Sequence, residues 1–228
     1  MISIEVASGV DLSWSRDQVE RHHYLGKAPD PRSRPLAYVV RLDARPVGCL
    51  WFGRPESTRC YAGELTYGSL QDVTDGRARW DRWEVLCLSR VWLSPDVQTG
   101  GELCRPEIVP GFTDRRGVWR PAVASTVIRK ALGRVGFDYL TVHPPVFPEQ
   151  PYQIRVVMSY ANTRLHSGTI YPASGFRLSR PVPGGVETWF TDKVATLTDD
   201  QDAAILEASR VSRRCRRIRA RSEQPSLF

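Results

Sequence analysis

The sequence predicts a mixed α/β domain: one sheet around one core, helices on both faces, and a long basic helix near the C-terminal end. Three observations predict it. Residues 36–42, "LAYVVRL", and 47–53, "VGCLWFG", flank the turn "DARP" and read as a β-hairpin. Residues 84–93, "EVLCLSRVWL", alternate Val85, Cys87 and Ser89 against Leu86, Leu88 and Arg90, as a central strand does. Residues 119–133 carry apolar side chains at helix spacing, and the run "IRVVMSYA" beyond them reads as a second inner strand. The sheet is not doubly wound, because helices are few and no G-x-G-x-x-G follows a first strand.

Taken in order, residues 17–27 read as a short helix running into Gly26, and 30–35 as a loop. Residues 54–82 read as a loop region of glycines and acids, 94–117, rich in Pro, Gly and charge, as an inserted loop, and 144–151 as a Pro-rich loop. Pro121 suits the first turn of the helix at 119–133, where Val123, Val127 and Ala131 line one face with Ile128 and Leu132 beside them. "HSGTIYPASG" reads as a short helix, and "FRLSR" and "ETWFTD" as strands about a "PGG" turn. One domain is expected over 1–198, a basic helix over 199–221 and a free tail over 222–228.

With 228 residues, 41% of them hydrophobic, the chain can bury one substantial core. No run of 18 apolar residues exists, and the first residues lack the pattern of a signal peptide, so no membrane partner is expected. Five scattered cysteines without a C-x-x-C argue against a zinc ribbon, and a reducing cytoplasm is the expected compartment. Cys49 and Cys87 read as core thiols. The net charge is +7, of which residues 209–228 carry +6, leaving +1 for residues 1–208. A local positive field suits a polyanion such as nucleic acid, or a solvated helix end.

"SYANTRLHSGTIYPASGF", residues 159–176, gathers hydrogen-bonding groups just past a strand's carboxyl end, where open α/β sheets hold ligands. With "HHYLGK" at 22–27, the "RLDARPVGCLWFG" hairpin and the "LCLSRVWL" strand, it resembles the bacteriophage Mom DNA-modification proteins over roughly residues 20–180, which implies insertions near 54–82, 94–117 and 138–154. That resemblance implies the fold of the acyl-CoA N-acyltransferases (GNAT), with the strands "LCLSRVWL" and "VVMSYAN" splayed and acetyl-CoA or another acyl-CoA in the gap. It implies transfer of a carbamoylmethyl (acetamido) or related acyl-derived group to adenine N6, which protects phage DNA from restriction in the bacterial host. The chain departs from the family at Asn162, where the family has Asp, and at Pro172, where it has Gln. An Asn cannot act as a carboxylate base, so two alternatives stand beside this reading: an N-acetyltransferase of the same fold acting on a protein or small amine, and a DNA-bound protein that keeps the fold without the chemistry.

The resemblance makes His23, Tyr24, Ser159, Asn162, His166 and Tyr171 site candidates. His23 suits proton transfer near neutral pH, or it caps a helix at the surface beside His22. Tyr171 suits stacking on a base or protonating a thiolate, or it is a half-buried Tyr with a satisfied hydroxyl. Ser159 suits the site or a backbone bond. Arg90, in an apolar strand, either pairs with a carboxylate such as Glu84 or faces a cleft and holds an anion. Arg115, Arg116 and Gly117 are the resemblance's candidates for the cofactor pyrophosphate, although "RRGVWRPA" matches the usual glycine-rich pattern only in part. His22, His23 and His166 do not have the spacing of a recognised ligand set, so no metal site is assigned.

Double-stranded DNA is the expected partner, with Lys27 and the cation–aromatic run "RARWDRW" (Arg79, Trp80, Arg82, Trp83) as contacts, unless those Trp side chains simply pack their own loop. In 199–221, Ile205, Ala208, Val211, Cys215 and Ile218 form an apolar stripe for the domain or for a second copy in a homodimer. Arg210, Arg214, Arg217 and Arg221 form a phosphate-facing stripe. "QPSLF" resembles the bacterial sliding-clamp-binding pentapeptide through Gln224, Ser226, Leu227 and Phe228, which implies the β clamp as a second partner.

Overall fold

The computed structural model describes residues 1–145, 153–165, 168–180 and 185–222, and the backbone alone at 62, 180 and 213–222. In chain order the elements are β1 (Ile2–Val6), α1 (Gly9–His22), β2 (Leu36–Leu42), β3 (Arg45–Gly53), β4 (Cys60–Ala62), β5 (Leu65–Gly68), α2 (Leu70–Thr74) and β6 (Trp80–Asp81). Then come β7 (Val85–Leu93), β8 (Gly111–Thr113), β9 (Trp119–Pro121), α3 (Val123–Leu132), α4 (Val135–Val142), β10 (Val156–Asn162), α5 (Ile170–Ala173), β11 (Arg177–Arg180), β12 (Val186–Thr191) and α6 (Asp199–Ser222).

A seven-stranded mixed sheet runs β1-β2-β3-β7-β10-β12-β11. Its one parallel pair is β7 with β10, and the pairing extends only from Val85↔Val156 to Leu88↔Ser159. Beyond that point β7 continues to Leu93 bonded to β3 alone, and β10 continues to Asn162 bonded to β12 alone. The two central strands therefore part, as the resemblance implies for the GNAT fold.

Both faces are covered. Tyr38, Leu50, Phe52, Leu86 and Leu88 meet Val127, Ile128 and Leu132 of α3 and Tyr139 of α4. On the other face, Val19 of α1 packs on Ala37, Cys49 and Trp51. Beside it Tyr67 and Trp80 cover Val85, Cys87 and Met158. Burying each such aliphatic or aromatic side chain stabilises the fold by roughly 1.5–3 kcal/mol.

Several expectations are corrected. β1 is an unexpected edge strand. α1 begins at Gly9 and ends at His22, well before Gly26; it fully buries only Ser15 and Val19, so its apolar period is faint. Residues 54–82 hold a small sheet, β4-β5-β6, and α2, which Ser69 and Asp72 cap reciprocally. α4 overlaps the expected insertion at 138–154. Pro121 ends β9, and Ala122 is the N-cap of α3.

The alternation of β7 also breaks. β3 pairs Trp51 with Arg90 but Phe52 with Leu88, leaving Ser89 as the extra residue of a β-bulge. The Ser89 hydroxyl donates to the Trp51 carbonyl at 3.1 Å. One inserted residue reverses the face of everything after it. Arg90 thus shares the Cys87 face instead of opposing it, and Trp92 packs with the α1 cluster while Val91 and Leu93 join Leu86 and Leu88.

α6 packs on α4. Ile205 and Ser209 are buried, Ala208 is half-buried, and Val211 is 53% exposed, so the packed stripe is narrower than the sequence suggests. The side chains of Cys215 and Ile218 lie outside the described residues.

Candidate active site in the splayed cleft

The parting of β7 and β10 opens a cavity of about 890 Å³. Its walls come from the end of α1, the unpaired length of β7, Ser159–Ala161 of β10, the turn before α5, and Ala124 in the first turn of α3. A second cavity of about 400 Å³ shares Tyr24, Leu88, Ser89, Arg90 and Tyr160 with it and continues past Lys27, Arg54, Glu56, Cys87 and Asn162. The cleft thus has two rooms that meet at Arg90. The two motifs behind the Mom resemblance, far apart in sequence, supply facing walls.

His23 closes α1: its N–H donates to the Val19 carbonyl at 3.0 Å. Its Nδ1 accepts the Leu25 N–H at 3.3 Å, which in a neutral ring places the proton on Nε2. In that tautomer the ring's donor is Nε2, one of the two directions of proton transfer that the sequence allows. Its ring lies 4.4 Å from that of Tyr24, and both line the larger room. His22 stacks on Trp92 at 5.4 Å.

Ser159 is the last residue of β10 paired to β7. Its hydroxyl lies 2.7 Å from the Leu88 carbonyl and 3.0 Å from the Tyr171 hydroxyl, which lies 3.2 Å from the Tyr160 carbonyl. Two hydroxyls carry two protons for three contacts. With the Ser159 proton on the shorter contact, the Tyr171 proton goes to the Tyr160 carbonyl or to the Ser159 oxygen, and it must leave that partner to meet a ligand. Burial raises the Tyr171 phenol above its ordinary value, so it stays protonated at neutral pH. Its ring stacks 5.6 Å from Trp189. Tyr160, pushed up to about 12 mainly by burial, remains neutral as well.

Asn162 accepts the Arg164 N–H at 3.1 Å, a turn-forming bond that Asp can also make. Arg90 is only 9% exposed. Its Nε donates to the Lys27 carbonyl at 3.2 Å and its Nη1 to the Ser89 carbonyl at 2.7 Å. Glu84 pairs instead with Arg155 at 2.9 Å. Among the described residues no carboxylate pairs with Arg90, so of its two sequence readings the cleft-facing one fits.

Other candidates fall elsewhere. Arg115, Arg116 and Gly117 form the exposed tip of the β8–β9 hairpin, where Asp114 accepts the Arg116 and Val118 N–H groups at 2.9 and 3.0 Å. They line neither room, and β9 separates them from α3. Trp80 is a core residue edge-on to Phe190 at 6.1 Å, which removes it as a base-stacking surface. Arg79 lies over Trp80 at 4.6 Å, while Arg82 and Arg54 lie 5.0 and 5.1 Å from Trp83, so this run largely packs on itself. Arg210 is exposed and pairs with Glu207 at 3.4 Å. Arg214, Arg217 and Arg221 sit on α6 with side chains outside the described residues, as do His166, Gln224, Ser226, Leu227 and Phe228 altogether. Arg54 was missed: it follows the hairpin directly, in a stretch whose Gly, Pro and charge read as an insertion.

No family model matches the chain, and no curated protein matches it. Among solved structures, an acetyltransferase from Bacillus subtilis in complex with CoA is similar at 9% identity and a TM-score of 0.40, over 84% of this chain and 99% of that one. An aminoglycoside acetyltransferase in complex with coenzyme A and kanamycin is similar at 12% identity and a TM-score of 0.44, over 84% of this chain and 95% of the other. The same enzyme type with paromomycin and acetyl-CoA gives 12% and 0.43, over 83% and 91%. These likenesses are too distant to carry an argument; the fold assignment rests on the strand order and the splay.

Proposed function

We propose that the protein is an acyl-CoA-dependent transferase that modifies adenine N6 in DNA. The observation that carries this reading is the convergence of the motifs at 22–27 and 159–176 on one cleft between parted strands. The cleft fits the cofactor by its chemistry. Ala124 puts the first turn of α3 on the wall, and helix-initial N–H groups have no intrahelical partner and favour phosphate. Past Leu88 the edge of β7 has no strand on its β10 side, which leaves backbone groups for an amide-bearing chain.

Acyl-CoA, when bound, would supply an acyl group on a thioester: N6 would gain the N–C bond, the C–S bond would break, and the departing thiolate would take up the N6 proton. The Tyr171 hydroxyl is protonated and, on turning from the Tyr160 carbonyl, would donate a hydrogen bond to that sulfur. Ser159 holds Tyr171 at the point of splay. His23 lines the larger room, and Tyr24 and Tyr160, where the two rooms meet, offer flat surfaces for a flipped base. Flipping costs a few kcal/mol and exposes N6, which pairing otherwise blocks.

The basic end of α6 and the "QPSLF" tail complete the proposal as a DNA tether and a sliding-clamp tether. A tether raises local concentration, which suits a body of net charge +1. Mass spectrometry of nucleosides from DNA co-expressed with the protein tests the chemistry: an adenine adduct is expected, and unmodified adenine rejects it. A peptide spanning 218–228 titrated against the host β clamp tests the tail; binding no tighter than that of the Leu227→Ala/Phe228→Ala peptide ends the clamp idea. A second reading, acetylation of a protein or small amine, draws support from Glu56, a carboxylate at the smaller room that suits a cationic amine. Unmodified DNA together with acetyl transfer to polyamines favours it.

A further inference from the structure

The β8–β9 hairpin lines neither room and stands outside the main sheet, as a two-stranded ribbon of its own. One side of the ribbon is seated. The Trp119 ring lies where a side chain at Gly111 would be, and it packs on the main core. The cross-strand pair on the other side is Phe112 and Arg120. Both are exposed, Phe112 by 57%, and no element of the protein covers that aromatic ring among the described residues.

The tip is held by its own backbone. The Asp114 N–H donates to the Val118 carbonyl at 2.8 Å, and the Gly117 N–H donates to the Asp114 carbonyl at 3.0 Å. Gly117, at a φ of +76°, supplies the left-handed residue of the turn. The Asp114 carboxylate accepts the Arg116 and Val118 N–H groups through Oδ1 and the Arg120 Nε–H through Oδ2. Its charge is therefore taken up by the turn and by Arg120. Arg115 and Arg116 are exposed, and neither has a carboxylate partner among the described residues. Glu102 and Glu107, in the loop before the hairpin, are exposed and pair with none of its arginines among the described residues. Residues 111–121 hold three Arg and one Asp, a net +2, while residues 1–208 as a whole carry only +1. The positive charge of the body is concentrated here.

The hairpin is also well placed. Its second strand ends at Pro121, Ala122 is the N-cap of α3, and Ala124 is on the wall of the larger room. At about 3.4 Å per residue, Arg116 stands within about 20 Å of Ala122, the length of about six base pairs. The major groove of a duplex admits a two-stranded β-ribbon, phosphates form its walls, and thymine methyl groups on its floor accept apolar contacts.

We propose that the β8–β9 hairpin is a duplex-DNA contact, entering the major groove beside the flipped adenine with Arg115 and Arg116 on phosphates and Phe112 against the groove floor. This rests on the nucleic-acid reading above and goes beyond it, because it assigns a surface that neither the cleft nor α6 includes.

The test is affinity for a short adenine-containing duplex and for one of its single strands, measured by anisotropy across a range of salt. The full chain is compared as wild type, Arg115→Gln/Arg116→Gln and Phe112→Ser. All three positions are exposed, and thermal melts report folding. The double variant should bind duplex roughly ten-fold more weakly, and its slope of log affinity against log salt should fall by about 1.8, since each phosphate contributes about 0.9. Phe112→Ser should weaken duplex binding at an unchanged slope, because no charge is lost. A single strand has no groove, so its binding should change far less. Equal losses on duplex and single strand overturn the proposal, as does an unchanged duplex slope in the double variant. Loss of CoA affinity with intact duplex binding makes the tip a cofactor contact, and a wild-type dimer that Phe112→Ser dissociates makes it a self-association surface; either result overturns the proposal. Where wild type forms the adenine adduct, an unchanged slope removes the hairpin contact and leaves the function. A hairpin-dependent slope without an adduct leaves the contact and removes the chemistry.

Discussion

At the scale of single residues, the cleft's chemistry depends on protons that are few and accounted for. Tyr171 has one, and Ser159 has spent its own on the Leu88 carbonyl. Tyr171→Phe removes the donor while keeping the ring on Trp189 and Phe176. The expected result is adduct formation lower by about 10²-fold or more with an unchanged melting temperature, in line with the loss of one positioned proton donor. Full activity in the variant would take Tyr171 out of the site. At Asn162 the expectation runs the other way. The side chain's observed role is to accept the Arg164 N–H, and Asp accepts equally well. Asn162→Asp should keep adduct levels within a few-fold of wild type, and a dead variant would show that a neutral group is needed there. These residues were legible in the sequence because they sit in long, polar motifs next to apolar strands. Which ring nitrogen of His23 carries the proton was not legible, because it depends on a bond from Leu25 that only the turn after α1 creates.

At the scale of elements, legibility followed how strongly an element's pattern departs from its surroundings. β2, β3, β7 and α3 lie close to where the apolar periods put them, since each buries nearly every position on one face or both. α1 was misplaced because only two of its positions are fully buried, and the face of Arg90 was misread because a bulge leaves no mark in a period-two pattern. The small sheet at 54–82 was unreadable as strands of two to four residues, but its capping chemistry yields a test. Hydrogen bonds from the Ser69 hydroxyl and backbone N–H hold the Asp72 carboxyl down to about 2, from an ordinary 3.8. A depressed carboxyl stabilises the fold fully above its unfolded value and loses that contribution as pH falls through its folded one. Between about pH 4 and pH 2, then, wild type should lose stability more steeply than Asp72→Asn. Urea midpoints across that window read the difference. Parallel curves would assign the acid limb to another carboxyl.

At the scale of the whole molecule, charge is segregated from the cleft. The chain's excess of positive charge lies almost entirely after residue 208, while the cleft sits in a body close to neutral. Electrostatic attraction to DNA scales with the number of phosphates neutralised, and each contributes about 0.9 to the slope of log affinity against log salt. A body of net charge +1 has little of this term, so the basic end of α6 must supply it if the protein works on DNA. α6 is anchored by Ile205 and Ser209 against the domain, and the arginines follow that anchor on the same helix. Replacing Arg210, Arg214, Arg217 and Arg221 by Gln, which keeps helix propensity, should lower the slope by about 3 to 4 if all four meet phosphates. Arg210 pairs with Glu207 in the free protein, so its share should be the smallest. Affinity measured by anisotropy from 50 to 300 mM salt reads the slope directly. An equal fall for variant and wild type would mean that the helix is a solvated spacer, and that whatever grip on phosphate the protein has lies in residues 1–208.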